Sequence, residues 1–401
     1  MKIFFLASSF PDKKNKASGI FNYRMVKQMK EMGQEVVVVF FRMLLPGRKL
    51  IDNYFYDGIK VTQVCLPLIP IDNYFFLRIN SVVCRFFGWK LLKRQLITCD
   101  IIHSVYLTNN GVTAGQWAKK LKIPHIAQAI GSDVNSDMQR MAGKNVFKKL
   151  IQNIDGIIAN SNNLKKIIQC LYPESPEIRT IYRGIHIDNI PYCSSVTDRK
   201  KEISFLFLGG LNPYKRLKYG INTKGGITLM KAWQKVEEEL FQLNCVLYFG
   251  GPYSDKDILK KWKNNLNYPQ QINIIGELDP SIVKEFLCKS DMVIIPSMEE
   301  GLPNLLLESF ASGKPVIGSN AGGIAEVIID GETGYIFNIG DENELARLLI
   351  NTAETKEKNK IMGQKAYERA RDFFNADSYC LNVLNFYKKF INNSSSVESL
   401  Q

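Results

Sequence analysis

Residues 290–337 read SDMVIIPSMEEGLPNLLLESFASGKPVIGSNAGGIAEVIIDGETGYIF. Three short runs rich in β-branched residues, MVIIP, KPVIGS and GYIF, alternate there with segments of helical pattern. This alternation predicts strand–helix–strand units and a parallel sheet. Ligands of such sheets bind at the carboxyl ends of the strands, so the loop EEGLP after MVIIP is the first candidate for a site.

The same alternation continues on both sides of this stretch. Before it stand SFLFLGG, CVLYFGG and INIIG, and the first half of the chain carries KIFFLA, EVVVVFF, IKVTQVC, CDIIHSV, IPHIAQAI and GIIAN. Between the two series lies PYCSSVTDRKKE, which has no periodicity and is typical of a linker. We therefore predict an α/β protein with two doubly wound, Rossmann-like domains that face a central cleft.

The predicted boundaries follow from these patterns. We expect an N-terminal domain over residues 1–190, a linker over 191–202 and a C-terminal domain over 203–372. A helical period continues beyond the second domain, and a Ser- and Asn-rich segment closes the chain. These predict a crossover helix over 373–391 and a disordered tail over 392–401.

Composition narrows the class of protein. The chain has 401 residues, of which 45% are hydrophobic and 23% charged, as in a folded soluble protein. Its net charge of +13 fits solubility, anionic phosphate ligands or an anionic membrane surface. Because no nucleic-acid-binding module is recognisable, we expect no nucleic-acid partner. The N-terminus MKIFFLASSFPDKK is typical of a first strand rather than of a signal peptide, which predicts a cytoplasmic protein.

Metal and disulfide chemistry are not expected. The eight cysteines lack the short spacing of zinc or redox pairs, so we expect reduced core residues. Three histidines leave little material for a metal site. Asp255-Lys256-Asp257 has the D-x-D form of some metal sites, but it follows GGPYS at a strand end and we expect no metal there.

The segment LIPIDNYFFLRINSVVCRFFGWKLLKRQLIT combines aromatic and basic residues. Two hypotheses remain open for it: an ordinary helix with a buried aromatic face, or an interfacial helix in peripheral contact with a membrane. The aromatic residues are Phe75, Phe76, Phe86, Phe87 and Trp89, and the basic residues are Arg78, Arg85, Lys90, Lys93 and Arg94.

Two acids, Glu300 and Glu308, stand on either side of a predicted helix start at the loop EEGLP. Gly and Pro favour helix entry, so Glu300 lies on the loop and Glu308 inside the helix, and eight helical residues rise about 12 Å. This spacing favours two contacts along one extended ligand over a hydrolytic pair around one bond. Amides at the helix start suit phosphate or sugar oxygens, so a nucleotide sugar fits, although two solvated acids would fit the pattern as well. The amides belong to Gly301, Leu302, Asn304 and Leu305.

The run over residues 290–337 resembles the C-terminal signature of the retaining GT-B glycosyltransferases of glycosyltransferase family 4. KIFFLASSFPDKKNKASGIFNYRMVKQMKEMGQEVVVV resembles the family's first strand, glycine loop and helix, and GSDV, YRGIHID and SFLFLGGL follow in the family's order. The resemblance implies the GT-B fold, with a C-terminal helix that packs back on the N-terminal domain.

The resemblance also implies roles for the acids of the loop. Glu308 would hold the ribose hydroxyls of the nucleotide. Glu300 would contact the transferred sugar, with its neighbour Glu299 as the competing candidate. The later turn AGGIAE would support the nucleotide pocket through Gly322, Gly323 and Glu326.

The diphosphate site departs from the family pattern. Gly210 stands where the family usually carries an arginine, and Lys224 of the following Lys-Gly-Gly matches the family's lysine. We expect Lys224 to bind the diphosphate and to act in catalysis, and we include Gly210 among the binding residues. The inserted loop between them offers replacements for the arginine, namely Arg216 first, or Lys215 or Lys218.

In the first half, Gly19 matches the family's glycine loop, where a backbone amide approaches the diphosphate. Asp133 of GSDV matches a family position near the acceptor pocket, and we expect it to act in catalysis. Ile130 stands where many members carry a histidine. His103 and His125 are nearby in sequence, but we interpret both as strand-end or core residues.

The resemblance predicts a retaining, metal-independent hexosyltransferase without a cofactor. Its donor would be a nucleoside-diphosphate sugar. The aromatic and basic segment around residues 75–94 favours, as the acceptor, a lipid-linked or growing cell-surface polysaccharide at the cytosolic membrane face. Two alternatives stay open: a GT-B-fold sugar-nucleotide epimerase, and a catalytically silent partner subunit of a polysaccharide assembly complex. A dehydrogenase is disfavoured because no G-x-G-x-x-G follows the first strand.

Overall fold

The computed structural model describes residues 1–69, 74–138, 152–193, 202–211, 220–254 and 257–398. The chain forms two compact units. Unit 1 contains Met1–Tyr182 together with Ala376–Gln401, and unit 2 contains Arg183–Asn375. Each unit is built around one mainly parallel sheet, as the alternating pattern predicts.

The sheet of unit 1 has eight strands in the order β3-β4-β2-β1-β5-β6-β7-β8. All neighbours are parallel except β3 and β4. The central strands carry almost continuous buried apolar residues because helices cover both faces of such a sheet. The strands are β1 (Lys2–Ala7), β2 (Glu35–Met43), β3 (Ile51–Tyr56), β4 (Ile59–Leu66), β5 (Ile101–Val105), β6 (His125–Ala129), β7 (Gly156–Ala159) and β8 (Glu177–Thr180).

The antiparallel strand β3 is absent from the sequence prediction. It forms a hairpin with β4 through a two-residue turn, Asp57-Gly58, in which both residues have positive φ. Asp-Gly between two strand-like runs is a strong hairpin signal, because both positions of a type I′ turn need positive φ. The sequence IDNYFYDGIKVTQV thus contained a readable hairpin signal. The edge strand β8 was missed because its sequence, EIRT, has no continuous apolar run.

The helices of unit 1 include the last helix of the chain. Its apolar residues Val383, Phe386 and Tyr387 are buried in one core with β1 and β5, which confirms the prediction that the C-terminal helix packs on the N-terminal domain. The α-helices are α1 (Ile20–Glu31), α2 (Tyr74–Leu96), α3 (Asn109–Leu121) and α4 (Asn162–Leu171), and a π-helix spans Asp133–Met138.

The sheet of unit 2 has six parallel strands in the order β11-β10-β9-β12-β13-β14. All six were predicted from the sequence. After β9 the chain builds outward on one side of the sheet, and from β12 it builds on the other. The strands are β9 (Ile203–Phe207), β10 (Cys245–Gly250), β11 (Ile272–Gly276), β12 (Met292–Ile295), β13 (Val316–Ser319) and β14 (Gly334–Phe337).

Helices cover both faces of this sheet. The segment GITLMKAWQKVEEEL has a helical pattern throughout, but the helix breaks at Val236, whose φ of −132° is not helical. The α-helices of unit 2 are α5 (Gly226–Lys235), α6 (Glu237–Gln242), α7 (Asp257–Asn264), α8 (Pro280–Lys289), α9 (Asn304–Ala311), α10 (Ile324–Val327), α11 (Glu342–Glu354) and α12 (Lys356–Phe373).

The boundary between the units differs from the predicted one. The chain enters unit 2 at Arg183, before the predicted linker over 191–202. The reason is hydrogen bonding: the amide of Ile185 donates to the carbonyl of Phe374 at 2.7 Å, and that of Cys193 donates to the carbonyl of Ser312 at 3.1 Å. Most of the predicted linker, residues 194–201, lies outside the described residues.

The end of the chain also differs from the prediction. The chain returns to unit 1 between Asn375 and Ala376, close to the predicted start of the crossover helix at residue 373. This helix, α13, spans Ala376–Glu398 and so includes most of the predicted disordered tail over 392–401. Nε2 of the Gln28 side chain on α1 donates to Oδ1 of Asp377 at 2.6 Å, which ties the first turn of α13 to α1.

The expectation that all cysteines are reduced core residues is wrong for three of them. Cys193 and Cys288 of unit 2 form a disulfide with Cα atoms 5.2 Å apart, and Cys170 is exposed. The two bonded residues are 95 positions apart, so sequence spacing did not reveal them. The remaining cysteines are free and buried, as predicted: Cys65, Cys84, Cys99, Cys245 and Cys380.

A buried polar network joins α13 to the sheet of unit 1. The Tyr387 hydroxyl lies 2.7 Å from Nδ1 of His103, whose Nε2 lies 3.2 Å from Gln128. On the next strand, Nε2 of His125 lies 2.8 Å from the hydroxyl of Ser104. Both imidazoles are fully buried, and burial lowers the pKa of His103 to about 3 and that of His125 to about 4. The interpretation of both histidines as core residues is confirmed.

These two histidines make the stability of unit 1 depend on pH. Their pKa values in the native state lie below the usual 6.5, so the unfolded chain binds more protons in acid. The stability due to the neutral imidazoles is fully present above pH 6.5 and is lost as pH falls towards 4, by about 1.4 kcal/mol per pH unit for each histidine. We expect His103→Gln to lower the slope of the free energy of unfolding against pH, measured by denaturant titration, by about 1.4 kcal/mol per pH unit in this range.

The control for this prediction is Tyr387→Phe. It removes one hydrogen bond to His103 at a cost of about 1 kcal/mol but keeps the titrating imidazole, so its profile should keep the wild-type slope. Asp155, which contacts the amide of His125, and buried Asp133 have raised pKa values and contribute with the opposite sign in every variant. An unchanged slope in His103→Gln would contradict the assignment.

Candidate functional site

The candidate site lies in unit 2 at the carboxyl ends of β9 and β12. These two strands are neighbours in the sheet, and the chain leaves them in opposite directions. The loops that follow them therefore separate and leave room between them, which makes this a topological switch point where ligands of open α/β sheets bind. The Lys-Gly-Gly turn comes from the first loop and EEGLP from the second.

Backbone of three loops is interlocked at this edge. Gly225 has a φ of +76°, and a Cβ atom there would lie 1.7 Å from the carbonyl oxygen of Pro296. Gly210 has a φ of +62°, and a Cβ atom there would lie 2.0 Å from the carbonyl oxygen of Pro252. An arginine at position 210 would clash with this backbone. The departure from the family pattern at Gly210 is thus a local packing requirement of this chain.

The turn that carries Lys224 is held from both sides. The side chain of Asn222 accepts hydrogen bonds from the amides of Ile227 at 2.9 Å and Thr228 at 3.3 Å, and so caps the start of α5. On the other side, the amide of Met298 donates to the carbonyl of Thr223 at 2.9 Å. This contact joins the Lys-Gly-Gly turn to the loop after β12.

An ion pair forms the centre of the site. Nζ of Lys224 donates to Oε1 of Glu300, and the same oxygen accepts from the hydroxyl of Ser297 at 3.2 Å. The side chain of Glu300 is 11% exposed and that of Lys224 is 42% exposed. The sequence reasoning gave these residues separate ligands, the sugar and the diphosphate. The structure brings them into direct contact, because their two loops lie side by side.

The helix after EEGLP begins one residue later than expected. Pro303 is the N-cap of α9 and has an extended conformation, and the first helical residue is Asn304. The first amides of any helix have no intrahelical acceptor, and in α9 no N-cap side chain accepts from them. Leu302 is buried, while Asn304 and Leu305 are half-buried at the helix start. This arrangement suits an anion or an electron-rich oxygen.

Glu308 lies one turn further on the same side of α9 as Asn304. Residues four apart share a helix face, and both side chains are half-buried while the opposite face of α9 is core. Nη1 of Arg183 donates to the side-chain oxygen of Asn304 at 3.2 Å, and Arg183 itself is buried. A buried guanidinium therefore lies at the start of α9.

Sequence reasoning missed Arg183. The residue stands 121 positions before Asn304, in the motif YRGIHID, which was noted for its position in the chain and not for its arginine. The available signal was the charged residue itself, an arginine directly before a Gly in a motif that resembles the family. Its partner could only be known from the fold.

The turn AGGIAE is hydrogen-bonded to the loop EEGLP. The amide of Gly323 donates to the carbonyl of Gly301 at 2.9 Å, and Gly322 has a φ of +51°. The carbonyl of Glu326 accepts from Arg369 at 3.3 Å, which ties the same turn to α12.

Asp133 of unit 1 is completely buried. Its carboxylate accepts hydrogen bonds from the amides of Leu107 at 3.0 Å, Ile130 at 3.1 Å and Gly131 at 3.0 Å. Burial raises the pKa of the carboxyl, and the backbone amides lower it in part. This geometry fixes the loop after β6. The predicted catalytic role of Asp133 remains a prediction.

Gly19 of unit 1 has its own backbone constraint. It is the N-cap of α1 with a φ of +67°, and a Cβ atom there would lie 2.3 Å from the carbonyl oxygen of Ser9. In this structure the absence of a side chain at Gly19 lets its backbone pack against the backbone of Ser9. Its predicted contact with a diphosphate remains a prediction.

Some predicted residues lie outside the described part of the chain. They are Lys215, Arg216 and Lys218 of the inserted loop, and Asp255 and Lys256 of the D-x-D sequence. Within the described ranges, no group of three or more His, Cys, Asp or Glu side chains has the arrangement of a metal site.

Both halves of the chain match known families. Residues 18–189 match the model for "Glycosyltransferase Family 4", and residues 195–369 match that for "Glycosyl transferases group 1". N-acetyl-alpha-D-glucosaminyl L-malate synthase of Bacillus anthracis is 24% identical over 367 residues, 90% of each chain. UDP-Gal:alpha-D-GlcNAc-diphosphoundecaprenol alpha-1,3-galactosyltransferase of Escherichia coli is 23% identical over 302 residues, which cover 72% of this chain and 74% of that protein.

A solved structure has the same fold. The structure of Alr3699/HepE of Anabaena in complex with UDP and glucose superposes with a TM-score of 0.70 at 15% identity, over 97% of this chain and 100% of that one.

The interlocked backbone gives a prediction for Gly225→Ala. The alanine must adopt a φ of +76° and must also displace the carbonyl of Pro296, so the loops of the site have to separate. We expect a loss of at least about 3 kcal/mol in free energy of unfolding, measured by denaturant titration.

Gly331→Ala is the matched control within the same unit. Gly331 has a φ of +75°, but no atom lies within 4 Å of the added Cβ. Its cost should be only the left-handed strain of about 1 to 2 kcal/mol. Equal losses for the two variants would show that the contact with Pro296 contributes nothing.

Proposed function

The chain belongs to the GT-B glycosyltransferases of the family 4 type, and from this premise we propose that it is a retaining hexosyltransferase that uses a nucleoside-diphosphate sugar. The observation that carries the proposal is the pair of Lys224 and Glu300 beside the uncapped start of α9, at the switch point of unit 2. A cation, an acid and a row of amides at one strand edge match the charges and hydroxyls of such a donor.

Each part of the donor has a chemical partner in this proposal. Glu308 accepts hydrogen bonds from the ribose hydroxyls, as a carboxylate can from two donors. Glu300, held by Lys224 and Ser297, accepts from hydroxyls of the transferred sugar. The amides of Gly301, Leu302, Asn304 and Leu305 face sugar or phosphate oxygens. HepE, whose structure contains UDP and glucose, supports a donor of this class.

The charge of the leaving diphosphate needs cations. Lys224 supplies one from the loop after β9. We propose that Arg183 supplies a second at the start of α9, in place of the arginine that the backbone geometry excludes at Gly210. Because these two cations and the amides at the start of α9 would balance the negative charge of the diphosphate, we propose that transfer needs no divalent metal.

The reaction proposed is a front-face displacement. The bond between the anomeric carbon and the phosphate oxygen breaks, and the acceptor oxygen bonds to the same carbon from the same side. The acceptor proton passes to the departing phosphate oxygen, so no protein nucleophile is required. Lys224 and Arg183 stabilise the negative charge that develops on the diphosphate, and Glu300 stabilises the positive charge that develops on the sugar.

The acceptor is proposed from the relatives. The Escherichia coli relative is named for an acceptor on diphosphoundecaprenol, and the Bacillus anthracis relative for a small acid. The first favours a lipid-linked or growing cell-surface glycan as the acceptor of this chain. A cytoplasmic location at the inner membrane face would follow.

The function can be tested with a panel of UDP, GDP, ADP and dTDP sugars. We expect one donor to be hydrolysed slowly without acceptor and consumed faster with a lipid-linked glycan, at a rate that EDTA leaves unchanged. The product should keep the anomeric configuration of the donor in its NMR spectrum. An inverted product would contradict the retaining mechanism, and an isomerised free sugar nucleotide would indicate the epimerase instead.

Variants test the assigned roles. Lys224→Ala and Arg183→Ala should each lower kcat about 100-fold, since each removes a charge that acts mainly on the leaving group. Glu308→Ala should weaken donor binding about 10- to 100-fold in calorimetry, since two hydrogen bonds to a charged group are lost.

Arg347→Ala serves as the control for loss of a positive charge in the same unit. Its side chain is 70% exposed on α11, so kcat should not change. Wild-type kcat in Arg183→Ala together with a loss of thermal stability would show that Arg183 only supports the fold. Wild-type transfer by both Lys224→Ala and Glu308→Ala would contradict the site.

A further inference from the structure

The outward face of α2 in unit 1 combines exposed apolar and basic side chains. Val82, Phe86, Phe87 and Ile97 are 52%, 63%, 44% and 57% exposed, the last just beyond the helix end. Among them stand the exposed cations Arg85, Lys90, Lys93 and Arg94. We call these eight residues the α2 face.

The helix is fixed in this orientation by its other side. Cys84, Gly88, Leu92 and Leu96 recur every four residues and are buried in unit 1. Gly88 lies so close to α3 that a Cβ atom there would be 2.7 Å from the ring of Trp117. The exposed aromatic side chains therefore cannot turn inward without breaking this packing.

Helical spacing aligns the exposed residues. Val82, Phe86, Lys90, Lys93 and Ile97 are four, four, three and four residues apart, so they share one stripe of the helix surface. Along this stripe two apolar residues are followed by two basic ones and then by Ile97. The hypothesis of a buried aromatic face is therefore wrong for Phe86 and Phe87, which are not core residues.

The sign of the charge is uniform. From Tyr74 to Leu96 the helix has five basic residues and no acidic one. At the end of α3, exposed Lys119 and Lys120 add to it, and Nζ of Lys120 lies 4.1 Å from the ring centre of Trp89 on α2. Protein interfaces are depleted of lysine at their centres, whereas interfacial helices on anionic bilayers combine lysine and arginine with phenylalanine.

We propose that the α2 face is a docking surface for an anionic lipid bilayer, with Phe86 and Phe87 in the headgroup region and the cations on lipid phosphates. Within the described residues, no helix is both long and apolar enough to cross a bilayer, so this contact would be peripheral. The binding does not depend on sugar transfer, since neither donor nor acceptor takes part in it. It would place the enzyme where a lipid-linked acceptor resides.

The test is flotation of the full chain with vesicles. The vesicles contain equal parts of phosphatidylglycerol and phosphatidylcholine, or phosphatidylcholine alone. We expect binding to the anionic vesicles at about 50 mM salt, weaker binding at about 500 mM because charge is screened, and little binding to the neutral ones. Wild-type protein that stays unbound at low salt would overturn the proposal.

Two pairs of substitutions separate the apolar and the charged contributions. Phe86→Ser with Phe87→Ser, and Lys90→Glu with Lys93→Glu, should each reduce partitioning onto anionic vesicles at least tenfold, since each basic residue near such a surface contributes roughly fivefold. All four positions are exposed, so the melting temperatures should match that of the wild type. Vesicle binding unchanged in both pairs would overturn the proposal.

Matched controls come from exposed positions of unit 2. Ile258→Ser with Ile361→Ser removes apolar surface, and Lys260→Glu with Lys261→Glu reverses charge on α7. Both should bind vesicles as the wild type does. An equal loss in the charge-reversal control would show that binding reflects net charge alone, and an equal loss in the apolar control would show that any exposed apolar surface contributes. Equal losses in both controls would overturn the assignment to α2.

Two further readouts distinguish this proposal from the proposed function. Donor hydrolysis should be unchanged in the α2 variants, while transfer to an acceptor embedded in vesicles should fall with their binding. Failure of all sugar transfer in the wild type would leave the vesicle result standing. If Phe86 and Phe87 instead proved necessary for self-association in sedimentation, with no vesicle binding, the surface would be a protein interface.

Discussion

The candidate site depends on backbone contacts between loops that leave neighbouring strands of unit 2. Gly225 lies against the carbonyl of Pro296, and Gly210 lies against that of Pro252. Neither position has space for a Cβ atom, and both have positive φ, so glycine satisfies two constraints at once. The contacts hold the Lys-Gly-Gly turn beside EEGLP, and the pairing of Lys224 with Glu300 follows from that proximity.

The same constraint explains how this chain differs from its family. Taken from sequence alone, the glycine at position 210 would indicate the loss of the arginine that the family pattern has there. Here the backbone of the neighbouring loop occupies the space of the side chain, while a buried arginine, Arg183, contacts Asn304 at the start of α9. A missing positive charge at one position of a site can thus be accompanied by a positive charge from a different segment of the chain.

Much of the fold follows from sequence alone. All six strands of unit 2 and six of the eight in unit 1 follow from β-branched runs, since a strand covered on both faces must be apolar throughout. The hairpin at Asp57-Gly58 had a readable signal. The domain boundary had none, because the amides of Ile185 and Cys193 bond to residues far along the chain. The disulfide of Cys193 with Cys288 was hidden for the same reason.

For function, the sequence by itself determined the family, the strand that delivers EEGLP, and the residue types a nucleotide sugar would need. Only the tertiary structure decided which of them meet. It paired Lys224 with Glu300, brought Arg183 to α9, buried Asp133 against three amides, and turned Phe86 and Phe87 outward. The physical reason is that periodicity and propensity are local, whereas each of these outcomes depends on contacts between distant segments or on the face by which a helix packs.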